Sequence, residues 1–275
     1  MSLLSLLSSI RTMKNVAKSV TNRKLKQEMY SNFLPNVIQH DDLYLVEFPK
    51  SGVTWLTFLM GNIHFKMNNI DQKVTFFNVE NITPDIQDSQ WISPDAKIYP
   101  GIRVIKSHSV YNPYYRTVVY LVRNPKDVMV SGYHFRKGIN EFTGDMSEFI
   151  RSKKYGIDNW NEHVESWLSK ADKGQKLYIL KYEDLKTNLI SELDQLYGML
   201  GVDVPSDVLT YAMDASSLTA MRENEEKLKS RGRSSNLTFV RKGIVNGYKS
   251  ELSDDDIRYL DDAVKEIAPL VGYDG

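Results

Sequence analysis

The segment LYLVEFPKSGVTW, residues 43–55, decides the fold. Its apolar run at 43–48 predicts a buried β-strand, and the residues after the turn predict a helix over about 54–67. A glycine-containing turn that opens a helix presents free N–H groups and the positive end of the helix dipole to an anion. The segment therefore predicts a P-loop-like strand–loop–helix site for an anionic group.

Lys50 adds a full positive charge to this loop, and Ser51 and Thr54 add hydroxyl donors. The loop is not a Walker A sequence, because that motif places a glycine directly before its lysine, whereas here Lys50 precedes Gly52. A structural turn with a solvated lysine is the plainer alternative at this point.

Three more apolar runs of strand length follow, and they alternate with helical patterns. Such an alternation is typical of a parallel sheet that is covered on both faces. We therefore expect a single-domain α/β fold with a central parallel β-sheet flanked by helices, and ligand binding at the carboxyl ends of its strands. The further strands are predicted at 103–106, 118–122 and 177–182, and the further helices after Pro125, around 188–200 and at 253–268, where Ser253 is the expected N-cap.

The composition excludes several classes of protein. The 275 residues include 35 Lys and Arg and 35 Asp and Glu, and this neutrality argues against whole-surface nucleic-acid binding. The chain has no cysteine, which excludes a disulfide scaffold, a thiol nucleophile and a cysteine-bound metal or cluster. With 41% hydrophobic and 25% charged residues the chain is globular, and no apolar run approaches the roughly 18 residues of a membrane span.

Basic and imidazole side chains follow two of the predicted strands. Lys106 ends the run at 103–106 and His108 follows it, and an imidazole is the natural general base near neutral pH. A structural histidine is the alternative. The run at 118–122 ends in Arg123, which suits phosphate, rather than in a magnesium-binding aspartate. The strand ends therefore gather positive charge without an obvious metal ligand.

Four segments together resemble the sulfotransferases that use 3′-phosphoadenosine-5′-phosphosulfate (PAPS). They are Phe-Pro-Lys-Ser-Gly-Val-Thr-Trp at 48–55, the Arg-Asn-Pro-Lys-Asp region at 121–135, Tyr-Glu-Asp-Leu at 182–185 and Phe-Val-Arg-Lys-Gly at 239–243. The resemblance is to the cytosolic type, runs from about residue 43 to 270 and looks closer to bacterial members. It implies transfer of a sulfuryl group to an acceptor, release of adenosine 3′,5′-bisphosphate (PAP) and no requirement for a metal.

The resemblance also implies roles for single residues. His108 would be the general base, with Lys50 and Lys106 as the other catalytic residues. The 50–55 loop would hold the 5′ end of the donor. The 3′-phosphate would be held by Arg123, Ser131 and the 241–243 segment. The adenine side would be contacted by Tyr182 and the 216–218 segment. The implied donor-binding residues are Lys50, Ser51, Gly52, Val53, Thr54, Trp55, Arg123, Ser131, Tyr182, Ser216, Leu218, Arg241, Lys242 and Gly243.

Two departures from the family pattern bear on these roles. Val53 replaces a threonine of the family, which removes a hydroxyl but keeps the backbone N–H. The family's dimerisation segment is not recognisable at 250–253, so the oligomeric state is left open.

The acceptor is not fixed by the sequence: a hydroxyl or amine of a small molecule, a sugar or a lipid fits, and no nucleic-acid partner is expected. A nucleotide kinase and a non-catalytic nucleotide-binding protein are the alternative functions. Aromatic residues that either line an acceptor pocket or belong to the core are Phe65, Phe76, Phe77, Trp91, Tyr99, Tyr111, Tyr114 and Tyr115.

Further predictions concern the N-terminus and the segment at 222–240. Residues 1–25 are expected to form an amphipathic helical extension to a sulfotransferase domain at 26–275. The helix at 2–20 either packs on the protein or lies on a membrane surface, so the expected location is cytoplasmic with or without membrane association. The basic segment at 222–240 is either a solvated loop or a lid over the donor.

Overall fold

Five β-strands and their flanking helices make up the computed structural model, which describes residues 38–87, 92, 96–170, 174–230 and 240–273. In chain order the elements of these residues are β1 (Leu43–Glu47), α1 (Val53–Met67), α2 (Val79–Ile82), β2 (Lys97–Ile98), β3 (Ile102–Ser107), β4 (Thr117–Val122), α3 (Pro125–Gly138), α4 (Met146–Ile150), α5 (Ile157–Lys170), β5 (Lys176–Lys181), α6 (Tyr182–Thr187), α7 (Leu189–Met199), α8 (Ser206–Ala215), α9 (Leu218–Ser230) and α10 (Asp254–Val264), with 3₁₀ turns at Gly247–Ser250 and Ala268–Val271.

The strands form one sheet in the order β2-β3-β1-β4-β5. β1 pairs in parallel with β3 and β4, and β4 pairs in parallel with β5, so the predicted parallel sheet is confirmed. The two-residue β2 is an antiparallel edge that the sequence did not predict. Val46 lies opposite Ser107, and Glu47 lies opposite Leu121, so the loops that follow β1, β3 and β4 begin at one edge of the sheet.

Both faces of the central strands β1 and β4 are buried, which explains why these two strands are almost entirely apolar. Leu43 and Leu45 of β1 belong to a core with α1, α7 and α8, whereas Tyr44 and Val46 belong to a second core with α3, α5 and α10. Alternate residues of one strand therefore serve opposite faces, as the pleat requires.

The helix starts agree with their sequence signals. Pro125 stands at the first position of α3, where the side chain of Asn124 accepts a hydrogen bond from the N–H of Lys126 at 3.0 Å. Ser253 caps α10 by accepting from the N–H of Asp256 at 3.1 Å. This last helix ends at Val264 rather than at the predicted residue 268, and a 3₁₀ turn that contains Pro269 follows it.

Two sequence predictions meet the limits of the described residues. Residues 222–230 are helical in α9, so the prediction of a loop is wrong for the first half of the 222–240 segment. The predicted N-terminal extension at 1–25 lies outside the described residues, as do residues 231–239. Within the part of the chain that the structure describes, no helix is both long and apolar enough to cross a bilayer.

Candidate active site

The loop after β1 is a tight turn held by its own polar groups. Lys50 (φ 82°) and Gly52 (φ 118°) both adopt left-handed backbone conformations, which glycine tolerates and other residues rarely adopt. The buried Ser51 donates its hydroxyl hydrogen to the carbonyl of Phe48 at 2.8 Å. This hydrogen bond helps to fix the turn, and α1 begins at its end.

Glu47 is the residue of this region that sequence reasoning missed. Its buried carboxylate accepts from the N–H of Val53 at 2.7 Å and from the N–H of Lys50 at 3.2 Å. The N–H of Val53, which was expected to face the donor, is engaged with Glu47 in this structure. The available signal was a charged residue at the end of an apolar strand.

The side chain of Lys50 lies between the loop and α3. Its Nζ is 4.2 Å from the ring centroid of Phe135. Burial lowers the pKa of Lys50 to about 8, the charge of Glu47 opposes this shift, and Arg123 adds to it. Ser131 stands one turn before Phe135 on α3, so it lies on the helix face that is turned toward the loop.

Arg123, directly after β4, joins three of the four sequence motifs. Its Nη1 donates to the carbonyl of Lys50 at 3.4 Å, and its guanidinium carbon is 4.4 Å from the ring centroid of Tyr182. Its Nη2 donates to the carbonyl of Ile244, just beyond the Arg-Lys-Gly segment, at 3.2 Å. The Asp127 carboxylate fixes the chain that follows the Arg-Lys-Gly segment, because it accepts hydrogen bonds from the N–H groups of residues 246 and 248.

The residues expected on the adenine side also meet. The indole N–H of Trp55 donates to the carbonyl of Ser216 at 3.0 Å, and the Trp55 and Tyr182 rings are 5.7 Å apart, edge to face. A Cβ on Gly243 would lie 3.0 Å from the side chain of Leu218. The segments around Tyr182 and Ser216 are thus packed against α1, the helix that follows the anion loop.

Arg241 and Lys242 converge on one carboxylate. Glu251 accepts from Arg241 Nη1 at 2.6 Å and from Lys242 Nζ at 2.8 Å, and its other oxygen contacts His134 Nε2 at 2.5 Å. Burial alone would raise the pKa of Glu251, but the hydrogen bonds from Lys242, Arg241 and His134 lower it to about 2. These basic groups are therefore already arranged around an oxyanion.

His108 and Lys106 stand at the end of β3 with a second missed carboxylate. His108 Nδ1 is 3.3 Å from the backbone oxygen of Glu47, and Nε2 is 3.5 Å from Asp85 Oδ2. Lys106 Nζ is 3.0 Å from Glu80 and 3.8 Å from Asp85. Burial opposes charge on Lys106, but the charges of Asp85 and Glu80 outweigh it and raise the pKa of Lys106.

Most of the candidate acceptor aromatics belong to the core. Phe65 of α1 and Phe76 are buried in one core, and Tyr115 stacks on Tyr44 with centroids 3.7 Å apart. Phe77 and Tyr114 are exposed, at 42% and 39%. Trp91 lies outside the described residues.

A cavity of about 360 Å³ opens at the other end of the strands. Its lining includes the first residues of β1, β3, β4 and β5, which are Leu43, Ile102, Thr117 and Lys176. None of the predicted site residues lines it, and those that follow β1, β3 and β4 lie at the opposite end of the strands.

Fold and candidate site together are those expected of an α/β nucleotide-binding transferase, with candidate anion-binding groups at the loop after β1 and beside Arg123. Comparison with known proteins then gives the family: the sulfotransferase domain model matches residues 40–270, and the chain belongs to that family. It is a PAPS-dependent sulfotransferase, an enzyme that moves a sulfuryl group from this nucleotide donor to an acceptor.

Curated relatives match over most of the chain. Sulfotransferase 1 family member D1 of Mus musculus is 28% identical over 237 residues, which cover 78% of this chain and 78% of the relative. The 3-beta-hydroxysteroid sulfotransferase of Cavia porcellus is 28% identical over 247 residues, with 82% of each chain covered. The predicted closeness to bacterial members stays a prediction.

Solved structures agree in fold. A mouse sulfotransferase complexed with PAP is 25% identical, with a TM-score of 0.59, and the match covers 83% of this chain and 84% of that one. Retinol dehydratase in complex with androsterone and PAP matches with a TM-score of 0.69 at 16% identity, over 89% of this chain and 84% of that one. At that identity the second likeness shows the fold alone.

Proposed function

We propose that this sulfotransferase uses His108 as its general base and transfers the sulfuryl group to a hydroxyl of a small-molecule, sugar or lipid acceptor. The observation that carries the proposal is the 3.3 Å contact of His108 Nδ1 with the backbone oxygen of Glu47. Because a carbonyl oxygen only accepts, this contact favours the tautomer with its hydrogen on Nδ1. In that tautomer Nε2, which faces Asp85 Oδ2 at 3.5 Å, carries the lone pair that takes the acceptor proton. An amine acceptor would be deprotonated in the same way.

The residues fit a donor with an anionic group at each end. We assign the 5′-phosphosulfate to the loop of Lys50, Ser51, Gly52, Val53 and Thr54, where a cation stands beside a helix N-terminus. We assign the adenine to Trp55, Tyr182, Ser216 and Leu218. We assign the 3′-phosphate to Arg123, Ser131, Arg241, Lys242 and Gly243.

An observation on the described residues supports the 3′-phosphate assignment. Arg241 and Lys242 already hold the carboxylate of Glu251, so their side chains point to a common position. A phosphate that displaced the Glu251 carboxylate from this position would meet donors arranged for charge-assisted hydrogen bonds. Arg123 reaches the same part of the chain, since its Nη2 donates to the carbonyl of Ile244.

The proposed reaction balances without a further reactant. His108 Nε2 takes the acceptor proton while the acceptor oxygen forms a bond to sulfur, and the bond from sulfur to the 5′-phosphate oxygen breaks. PAP leaves with that electron pair. Lys50 and Lys106 stabilise the charge on the transferred and leaving oxygens. No metal takes part in this proposal, and five cations (Lys50, Lys106, Arg123, Arg241 and Lys242) balance the donor instead.

A transfer assay tests the proposal directly. Sulfuryl-labelled PAPS is incubated with a phenol, a sterol, a saccharide and an amine, using the wild type and His108→Ala. We expect label in at least one hydroxyl acceptor and a large loss in the variant. Undiminished transfer by the variant would exclude His108 as the base.

Ligand binding separates the alternative functions. Saturating PAP should raise the melting temperature, because a ligand that binds only the folded state stabilises that state. ATP should have little effect on the melting temperature. Preference for ATP would favour a kinase. We also propose a cytoplasmic location and a division into an extension at 1–25 and a domain at 26–275. Membrane contact through residues 2–20 is a further proposal, and it is tested by comparing liposome binding of the intact chain with that of a chain lacking 1–25.

A further inference from the structure

A buried carboxylate lies directly under the loop that is assigned to the anionic donor. Glu47 is 3% exposed, and a negative charge in this place should oppose the binding of another. Burial raises the pKa of Glu47, and the charges of His108 and Lys50 and the hydrogen bond from Val53 oppose that rise. A buried carboxylate is costly unless its hydrogen bonds compensate, so its contacts indicate what it does.

We propose that Glu47 is a positioning residue that fixes the phosphosulfate loop and the base His108 relative to each other. The inference rests on the role of His108 under the proposed function and adds a residue that neither the motifs nor the relatives assign. Glu47 itself touches neither the donor nor the acceptor in this proposal.

The first half of the proposal concerns the loop. Glu47 accepts from the N–H of Lys50 at 3.2 Å and from the N–H of Val53 at 2.7 Å, which lie on the two sides of Gly52. Lys50 has a backbone φ of 82°, a conformation that non-glycine residues adopt only when their surroundings hold them there. The carboxylate supplies that hold and thereby sets the direction in which the Lys50 side chain leaves the loop.

The second half concerns the base. His108 Nδ1 is 3.3 Å from the backbone oxygen of Glu47 and 3.9 Å from its Oε1. Asp85 Oδ2 faces Nε2 at 3.5 Å and lies 3.8 Å from Lys106 Nζ, so Asp85 stands between the two basic side chains. Since one residue contacts both the loop and the ring, a shift of Glu47 moves Lys50 and His108 relative to each other.

This coupling matters because transfer needs the base, the acceptor oxygen, the sulfur and the leaving oxygen in line. A misplacement of about 1 Å in such a reaction costs on the order of 10²-fold in rate. Loss of Glu47 should therefore appear chiefly in kcat, since the pocket for the acceptor is not removed. A purely structural carboxylate would lower stability and leave the turnover of folded molecules unchanged.

The test compares Glu47→Gln with Asp42→Asn. Asp42 precedes β1, is 1% exposed, and pairs with Arg103 at 2.6 Å at the opposite end of the strand, so it is a buried carboxylate outside the site. Each variant is assayed below its melting temperature, with active sites counted by PAP titration. We expect Glu47→Gln to lower kcat by about 10- to 100-fold with the acceptor KM changed less than about threefold, and Asp42→Asn to lower stability only.

Glu47→Asp provides a second variant if the glutamine variant fails to fold, because it keeps the charge but draws the carboxylate back from the Val53 N–H. It too should lose kcat. A kcat within about twofold of wild type in either folded variant overturns the positioning role. If His108→Ala is inactive and Glu47→Gln is fully active, the base assignment stands and only this inference fails.

Discussion

The indole N–H of Trp55 donates to the main-chain carbonyl of Ser216 at 3.0 Å, although 161 residues separate them. Ser216 is fully buried, and its hydroxyl accepts from the Asn62 side chain at 3.0 Å. Since Trp55 also contacts Tyr182, the helix after the anion loop is held on two sides. The adenine side of the proposed donor site is thus a packed part of the protein before any ligand arrives.

Replacing Gly52 by alanine should damage both folding and donor binding. The residue has φ 118°, and an added Cβ would lie 2.6 Å from Tyr182 Cδ2. We expect a loss of at least about 1 kcal/mol in the free energy of unfolding, measured by urea denaturation, together with weaker PAP binding. Gly198→Ala is the control, because its Cβ meets nothing within 4 Å in α7, and it should gain about 0.5–1 kcal/mol.

Replacing His108 by alanine should separate chemistry from binding. We expect the rate to fall by at least ~10²-fold, since general-base catalysis is worth about 10²–10⁴-fold, while PAP still binds. Steady-state rates and calorimetric titration measure the two effects. His40→Ala, an exposed histidine near the opposite end of the sheet, should leave both unchanged.

PAP affinity should fall as the pH rises through about 8. The pKa of Lys50 is lowered to about 8, mainly by burial, so the free enzyme loses this charge above that pH, whereas the bound anion favours the charged form. We expect Kd to rise by up to about tenfold per pH unit above 8, measured from pH 7 to 9.5. The other charged groups that face Lys50 are Glu47, Arg123, Glu225 and Arg136.

The matched variant is Lys50→Arg, which stays charged at every pH in this range and should make the affinity nearly independent of pH. An equal pH dependence in this variant would mean that another group controls binding.

Replacing Arg241 by methionine should remove discrimination by the 3′-phosphate. The wild type should bind PAP more tightly than adenosine 5′-monophosphate, and the variant should lose about 10- to 100-fold in PAP affinity with little change for the monophosphate. Arg258→Met is the control, because this arginine is 73% exposed and pairs only locally with Asp255. Equal losses for both nucleotides would contradict the assignment of Arg241 to the 3′-phosphate.

Replacing Glu251 by glutamine should change stability in a defined acid range. Because the folded pKa of about 2 is below the ordinary value of 4.5, the carboxylate contributes stability above about pH 4.5 and loses it as the pH falls toward 2. The melting temperature of the wild type should therefore exceed that of Glu251→Gln at pH 6, and the gap should close by pH 2. A constant gap would mean that the contacts of Glu251 do not depend on its charge.

The elements of the fold that could be predicted are those whose signals lie in residues adjacent along the chain. β1 and β4 are apolar runs because both of their faces are buried, and β3 and the edge strand β5 also contain apolar runs of strand length. The positions of all four strands were predicted within one residue. The two-residue β2 was missed, because so short an edge strand has no period of its own. The carboxyl end of α10 was misplaced because the apolar pattern continues beyond it to Ala268.

The site divides in the same way. Its basic residues lie in motifs directly after strands, so their types and order could be read along the chain. The carboxylates that face them could not: Asp85 reaches His108 and Lys106 through a bridge between separate segments, and Glu251 reaches His134 across 117 residues. Such pairs depend on which segments pack together, and no local pattern records that.

The sequence by itself determined the parallel α/β class, the loop after the first strand and the set of cations, because each depends on residues that are close along the chain. Only the tertiary structure decided where the counter-charges lie. Asp85 beside the base, Glu251 beside His134, and the contact of Glu47 with His108 depend on packing between segments that are distant along the chain. The physical reason is that charge acts through distance in space, and folding, not sequence separation, sets that distance.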